Sequence, residues 1–147
     1  MSILSVNCKA NLLELLADKP SGVNREYILE HNNATRLGQL VLYSSLLIKN
    51  NITPYIEVKF VSKYSKREKR IELITKEEKK ITIYKVSSFS KYDKDALELV
   101  NIITEIQEKF TELDVYGVLL FAEKKTNIDF INKSLKTITK NVTGEYI

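Results

Sequence analysis

The sequence predicts an α+β fold, and three observations carry that prediction. Apolar residues recur at helical spacing in the first fifty residues and again after Ser90, while from Tyr55 to about Lys85 the period changes to two. Between the two C-terminal helical stripes, Val115 to Ala122 is a near-continuous apolar run of the kind a strand buried on both faces shows. With 147 residues, 44% of them hydrophobic, the chain can bury one continuous core, and four glycines and two prolines leave little room for a linker. It reads as a single domain over 1–147, with a helical N-terminal extension over 1–34 and a core over 35–147.

The elements follow in order. Leu12, Leu13, Leu15 and Leu16 predict a first helix, stopped by Pro20 and Gly22. A second short helix spans Asn24 to about His31 with Tyr27 and Ile28. A third runs from the caps offered by Asn32, Asn33 and Thr35 to about Asn50. Pro54 forces extended backbone before it, and Ile56, Val58 and Phe60 then alternate with Tyr55, Glu57, Lys59 and Val61. Ile71 and Leu73, then Ile81 and Ile83, repeat the pattern, giving a three-stranded antiparallel meander. Ser90 with Asp93, and Thr126 with Asp129, have the spacing of a capping box, each opening a helical stripe. Those stripes are Leu99, Ile103, Ile106, Phe110 and Leu113, and then Ile128, Ile131, Leu135 and Ile138.

Charge is concentrated in the meander. From Lys59 to Lys85 ten basic residues face four acidic ones, a net +6 in a chain that carries +4 overall. A positive field gathered on one sheet and its loops suits a polyanion, which predicts DNA or RNA as partner. The residues expected to meet phosphates are Lys63, Lys66, Arg67, Lys69, Arg70, Lys79 and Lys80; Tyr55, Tyr64 and Tyr84 lie among them and could stack bases. One cysteine, Cys8, and one histidine, His31, exclude an internal disulfide and a Cys/His zinc set. The glycines are scattered, so no phosphate-cradling loop is present. Ile3, Leu4 and Val6 are too few for a signal-peptide core, and Leu37 to Ile48 is too short to span a bilayer, so an intracellular, cytoplasmic protein is expected without membrane contact. The apolar content of Leu37–Ile48 and Val115–Ala122 predicts a homodimer.

From Thr35 onward, the order helix, meander, helix, apolar strand, helix resembles the αβββαβ core of the PD-(D/E)XK, or restriction-endonuclease-like, nuclease superfamily. The resemblance implies a divalent metal, Mg²⁺ or Mn²⁺, held by acidic residues, with a lysine orienting the attacking water. Glu57-Val58-Lys59 matches the family's Glu-x-Lys in letters but on the first strand of the meander. Aligned by topology, Gln39 falls where the helix glutamate is expected, Glu72 near the aspartate, and Tyr84-Lys85-Val86 where Glu-x-Lys should be. Neither alignment completes the metal set. The candidate catalytic residues are therefore Glu57, Lys59 and Glu72, with Glu57 and Glu72 as metal ligands.

Strand register decides between two meanings of Glu57. Pairing Glu57 with Arg70 and Lys59 with Glu68 makes a charge-compensated strand face that needs no metal. A register two residues different sets Glu57 against Glu72, and two adjacent carboxylates favour a cation between them. Residues 8–76 also resemble a winged helix, with 12–17, 24–31 and 35–50 as its helices and the hairpin as a basic wing, the C-terminal region then serving dimerisation. The helix at the recognition position, with Leu40 to Tyr43 and Leu46 to Ile48, has little polar face for base edges. A third class is a non-catalytic interaction subunit whose lysines only keep it soluble.

Overall fold

The computed structural model describes residues 2–8, 23–29, 36–123 and 125–147. Three helices and seven strands are present among them, an α+β composition. They are β1 Ser2–Cys8, β2 Val23–Leu29, α1 Arg36–Lys49, β3 Pro54–Val61, β4 Glu68–Glu77, β5 Lys80–Val86, α2 Tyr92–Lys109, β6 Asp114–Phe121, α3 Ile128–Lys136 and β7 Val142–Tyr146. The chain divides into two compact units, Met1–Glu77 and Glu78–Ile147. That division falls inside the stretch read from sequence as one meander.

In the first unit the strands lie in the order β2-β1-β3-β4. β1 runs antiparallel to β2 through seven partners from Ser2 opposite Leu29 to Cys8 opposite Val23, and parallel to β3 at Asn7 opposite Tyr55. This corrects the expected helix over 24–31, because Val23–Leu29 is a strand. The winged-helix resemblance loses its second helix with it. The predicted helix over 12–17 and the caps at Asn32 to Thr35 lie outside the described residues, as does His31.

Helix α1 buries Leu40, Ser44 and Leu47, one face at spacings of four and three, and leaves Leu46 and Ile48 exposed. It ends where expected, in a Schellman motif. The Ile52 amide donates to the Leu47 carbonyl at 2.9 Å, the Asn51 amide donates to Ile48 at 3.0 Å, and Asn51 takes the left-handed conformation with φ 60°. Asparagine tolerates that conformation better than a branched residue, and Pro54 two residues beyond Ile52 starts β3.

The second unit is built from parallel strands in the order β5-β6-β7. β6 pairs with β5 from Lys80 opposite Asp114 to Val86 opposite Leu120, and with β7 from Gly117 opposite Val142 to Phe121 opposite Tyr146. Parallel neighbours need a crossover, and α2 and α3 supply the two. As the apolar run predicts, β6 is the central strand of this unit, and Val115, Val118, Leu119, Leu120 and Phe121 are buried. Of the run behind the homodimer expectation, Tyr116 and Ala122 are exposed.

Helix α2 buries Ala96, Leu99, Ile102, Ile103 and Ile106, and its close approach to the sheet depends on Gly117. A Cβ there would lie 3.1 Å from Leu99 Cδ1, 3.3 Å from Ile103 Cδ1 and 3.1 Å from Val142 Cγ2. Both capping boxes are displaced. Lys91 occupies the N-cap of α2 without a side-chain bond, and Ser90 Oγ lies 3.1 Å from Ser88 Oγ. At α3 the cap is Asn127, whose Oδ1 accepts from the Phe130 amide at 3.0 Å.

Strand β7 was not expected from the sequence. Its place is fixed by Asn132 of α3, which accepts from the Gly144 amide at 2.7 Å and donates to the Gly144 carbonyl at 3.3 Å, and by the Tyr146 hydroxyl, which donates to the Thr126 carbonyl. Tyr92 at the start of α2 donates to Ser134 Oγ of α3 at 3.0 Å, joining the two crossover helices. Gly117→Val is expected to destabilise this unit by about 1–3 kcal/mol, the usual cost of overpacking a filled core. Thermal denaturation followed by circular dichroism measures it; an unchanged transition would mean that α2 does not close on β6 at this glycine.

Candidate nucleic-acid interface

The candidate surface is the β3–β4 hairpin, whose register pairs buried side chains with one another. Ile56 pairs with Leu73, Val58 with Ile71 and Pro54 with Thr75, and all six are buried. On alternate positions Lys59 stands opposite Arg70 and Val61 opposite Glu68; Lys59, Val61, Glu68 and Arg70 are exposed. The pairs Ile56–Leu73 and Val58–Ile71 bracket positions 57 and 72, so Glu57 and Glu72 occupy one cross-strand position.

This is the second of the two registers considered from sequence, and it corrects the charge-compensated pairing of Glu57 with Arg70 and Lys59 with Glu68. Like charges directly opposite one another destabilise a sheet by a few tenths of a kcal/mol to about 1 kcal/mol. Partial relief comes from a diagonal ion pair in which Lys59 Nζ lies 4.0 Å from Glu68 Oε1, both half-exposed and therefore weakly coupled.

The connection over Ser62–Arg67 is a closed turn. Ser62 donates its amide to the Arg67 carbonyl at 3.1 Å, and the Lys66 amide donates to the Ser62 carbonyl at 2.9 Å. Ser62 Oγ accepts from the amides of Tyr64 at 3.3 Å and Ser65 at 3.2 Å, and Ser65 Oγ accepts from the Arg67 amide at 3.3 Å. These serine bonds replace the regular ladder where the chain reverses, with Lys66 in the left-handed conformation at φ 60°. The Ser62-x-x-Ser65 spacing is the local sequence signal for this turn.

Lys63, Lys66, Arg67 and Arg70 are exposed and Lys69 is half-buried. With Lys59 they place six cations between positions 59 and 70 against the single acid Glu68. Lys79 and Lys80, expected to join this surface, belong to the second unit. There the Lys79 carbonyl accepts from the Asp114 amide at 2.8 Å, and Lys80 Nζ lies 5.7 Å from the centre of the Tyr116 ring.

Of the nuclease-like positions, Glu72 is half-buried on β4 and Lys59 is exposed on β3. The side chains of Glu57 and Gln39 lie outside the description. Tyr84 is buried, and Lys85 beside it donates to Glu98 Oε2 at 2.8 Å with Asp95 Oδ1 at 3.9 Å. Asp95 also accepts from Ser87 Oγ at 2.7 Å. A lysine held this way fastens α2 to the end of β5. Among the described residues no group of three or more His, Cys, Asp or Glu side chains lies together as a metal-ligating set. Among them, too, no helix is long and apolar enough to cross a membrane.

No family model, curated protein or solved structure matches the chain.

Lys85→Met is expected to lower the stability of the second unit by about 1–3 kcal/mol, because it leaves the carboxylate of Asp95, only 8% exposed, with the Ser87 hydroxyl as its remaining neutral donor. The Lys85→Met, Asp95→Asn double variant should recover part of that loss in chemical denaturation. Equal stability of wild type and Lys85→Met would show that this ion pair does not hold α2.

Proposed function

We propose that the protein binds nucleic acid through its β3–β4 hairpin, with affinity supplied by phosphate contacts from Lys63, Lys66, Arg67, Lys69 and Arg70. The observation that supports this reading most directly is a hairpin register that sets Lys59 opposite Arg70 beside a turn carrying three more exposed cations. A sheet under selection for stability alone gains nothing from like charges face to face. A phosphate placed between Lys59 and Arg70 turns the repulsion of that pair into attraction, and counterions are released as it binds.

Binding of this kind is sensitive to salt and weakly sensitive to sequence. Log affinity for a duplex should fall with log salt by about 0.9 per phosphate contact, so four contacts give a slope of about −3.6. Replacing Lys66, Arg67, Lys69 and Arg70 by alanine should flatten the slope by that amount in fluorescence anisotropy while the circular dichroism spectrum stays unchanged. A matched triple change at Lys133, Lys136 and Lys140 serves as control. Equal slopes for the two variants, or no salt-sensitive binding by the wild type, would leave the lysines a solvated face and favour the interaction-subunit reading.

A second reading, metal-dependent cleavage of the bound strand, is favoured by one observation: the register brings positions 57 and 72, both glutamate, to one cross-strand position. Glu57 and Glu72 would hold Mg²⁺ or Mn²⁺, which supplies charge neutralisation at the phosphate and an activated water, with Lys59 beside them orienting it. Residues and metal type agree in chemistry, since hard divalent cations take carboxylate oxygens. Cleavage supported by Mn²⁺ in the wild type and abolished in the Glu57→Ala, Glu72→Ala double variant is the expected outcome; undiminished cleavage by the double variant would remove both residues from the site.

A further inference from the structure

Three tyrosines lie in or just before the basic stretch, and the structure separates them. Tyr84 is buried, Tyr55 is half-buried on β3, and Tyr64 is 64% exposed at the tip of the β3–β4 hairpin. Exposing a large ring at the end of a hairpin is unfavourable in water, yet the turn holds it there. The Tyr64 backbone is fixed by its amide bond to Ser62 Oγ and by the two main-chain bonds that close the loop between Ser62 and Arg67. Lys63 Nζ lies 5.7 Å from the centre of the ring, within the range of a cation–π contact, and Val61, 60% exposed, extends the apolar surface next to the turn.

We propose that Tyr64 is a stacking platform for an unpaired nucleobase, and that the hairpin therefore selects single-stranded nucleic acid over a fully paired duplex. The inference rests on the nucleic-acid reading above and names the substrate class of the same surface. In a duplex the faces of the bases are closed by their neighbours, and a side chain meets only their edges in the grooves. A single strand exposes those faces, and every base has one, so stacking adds affinity without sequence preference. The geometry provides both parts of such a site on one short segment. Tyr64 offers the ring, while Lys63, Lys66 and Arg67 on either side of it in sequence are exposed for the phosphates flanking the stacked base. Because the turn is already closed by five hydrogen bonds of main chain and serine, little backbone order has to be acquired on binding.

The test compares wild type, Tyr64→Ala and Tyr64→Trp against three probes: an oligothymidylate, a duplex of the same length, and inorganic polyphosphate, which carries charge without bases. Tyr64→Ala should weaken oligothymidylate binding by about five- to 150-fold, the span of one base–aromatic stack, with its salt slope unchanged. Duplex and polyphosphate binding should stay as in the wild type. The chain contains no tryptophan, so Tyr64→Trp introduces a single reporter whose emission should be quenched by oligothymidylate and not by polyphosphate. If Tyr64→Ala binds oligothymidylate like the wild type, or the tryptophan stays unquenched while anisotropy records binding, the stacking role is overturned and the phosphate-binding reading stands. Absence of salt-sensitive binding to all three probes would overturn both together.

Discussion

The constraint on which the proposed surface depends is the register of β3 against β4. Two registers keep the same faces inward, and they differ in what they match. Pairing residue 57 with 70 would compensate charge but set Val58 against Lys69. The observed register sets Ile56 against Leu73 and Val58 against Ile71. It has two aliphatic pairs where the other register has one, and it moves Lys69 to the end of the row, opposite Phe60. Like charges are left facing each other on the alternate positions. The turn agrees with this outcome, since the Ser62 amide reaches the Arg67 carbonyl one step beyond the last strand pair, Val61 with Glu68.

The second unit obeys a different rule. Its strands are parallel, so each connection is a helix, and the packing of those helices fixes the sheet edge as much as the strands do. Gly117 lets α2 approach β6, Lys85 ties α2 to the end of β5 through Glu98 and Asp95, and Asn132 of α3 clamps both polar groups of Gly144. In this setting Lys85 is a structural lysine. In the topological alignment with the nuclease superfamily Lys85 falls at the middle position of Glu-x-Lys, and Val86 stands where the lysine would be.

Elements whose stability is local were legible in the sequence. The alternation of Ile56, Val58 and Phe60, the run from Val115 to Phe121, and the stripes of α1 and α2 all describe a face that must be buried, and the faces are found buried, with Tyr116, Leu46 and Ile48 left exposed. Elements that depend on distant partners were not. Val23–Leu29 carries Glu26, Tyr27 and Ile28 without a clear period, and it is a strand because β1 supplies seven partners for it. Val142–Tyr146 holds a glycine at its middle and is recruited by Asn132 from ten or more residues away. Both capping boxes failed by one residue: at α3 Asn127 takes the cap by accepting from the Phe130 amide, whereas at α2 Lys91 stands at the N-cap with no side-chain bond. For the interface, the cations were evident from composition, whereas the opposition of Lys59 to Arg70 needed the register and the fixed exposure of Tyr64 needed the turn.

The pairing of Lys59 with Arg70 and the shared position of residues 57 and 72 follow from that register, and cross-strand backbone nuclear Overhauser effects measure it most directly. The account predicts contacts between Lys59 and Arg70, between Ile56 and Leu73, and between residues 57 and 72. Contacts joining residue 57 to 70 and Lys59 to Glu68 as directly opposed partners would contradict it, because Lys59 and Arg70 would then no longer stand as a cationic pair.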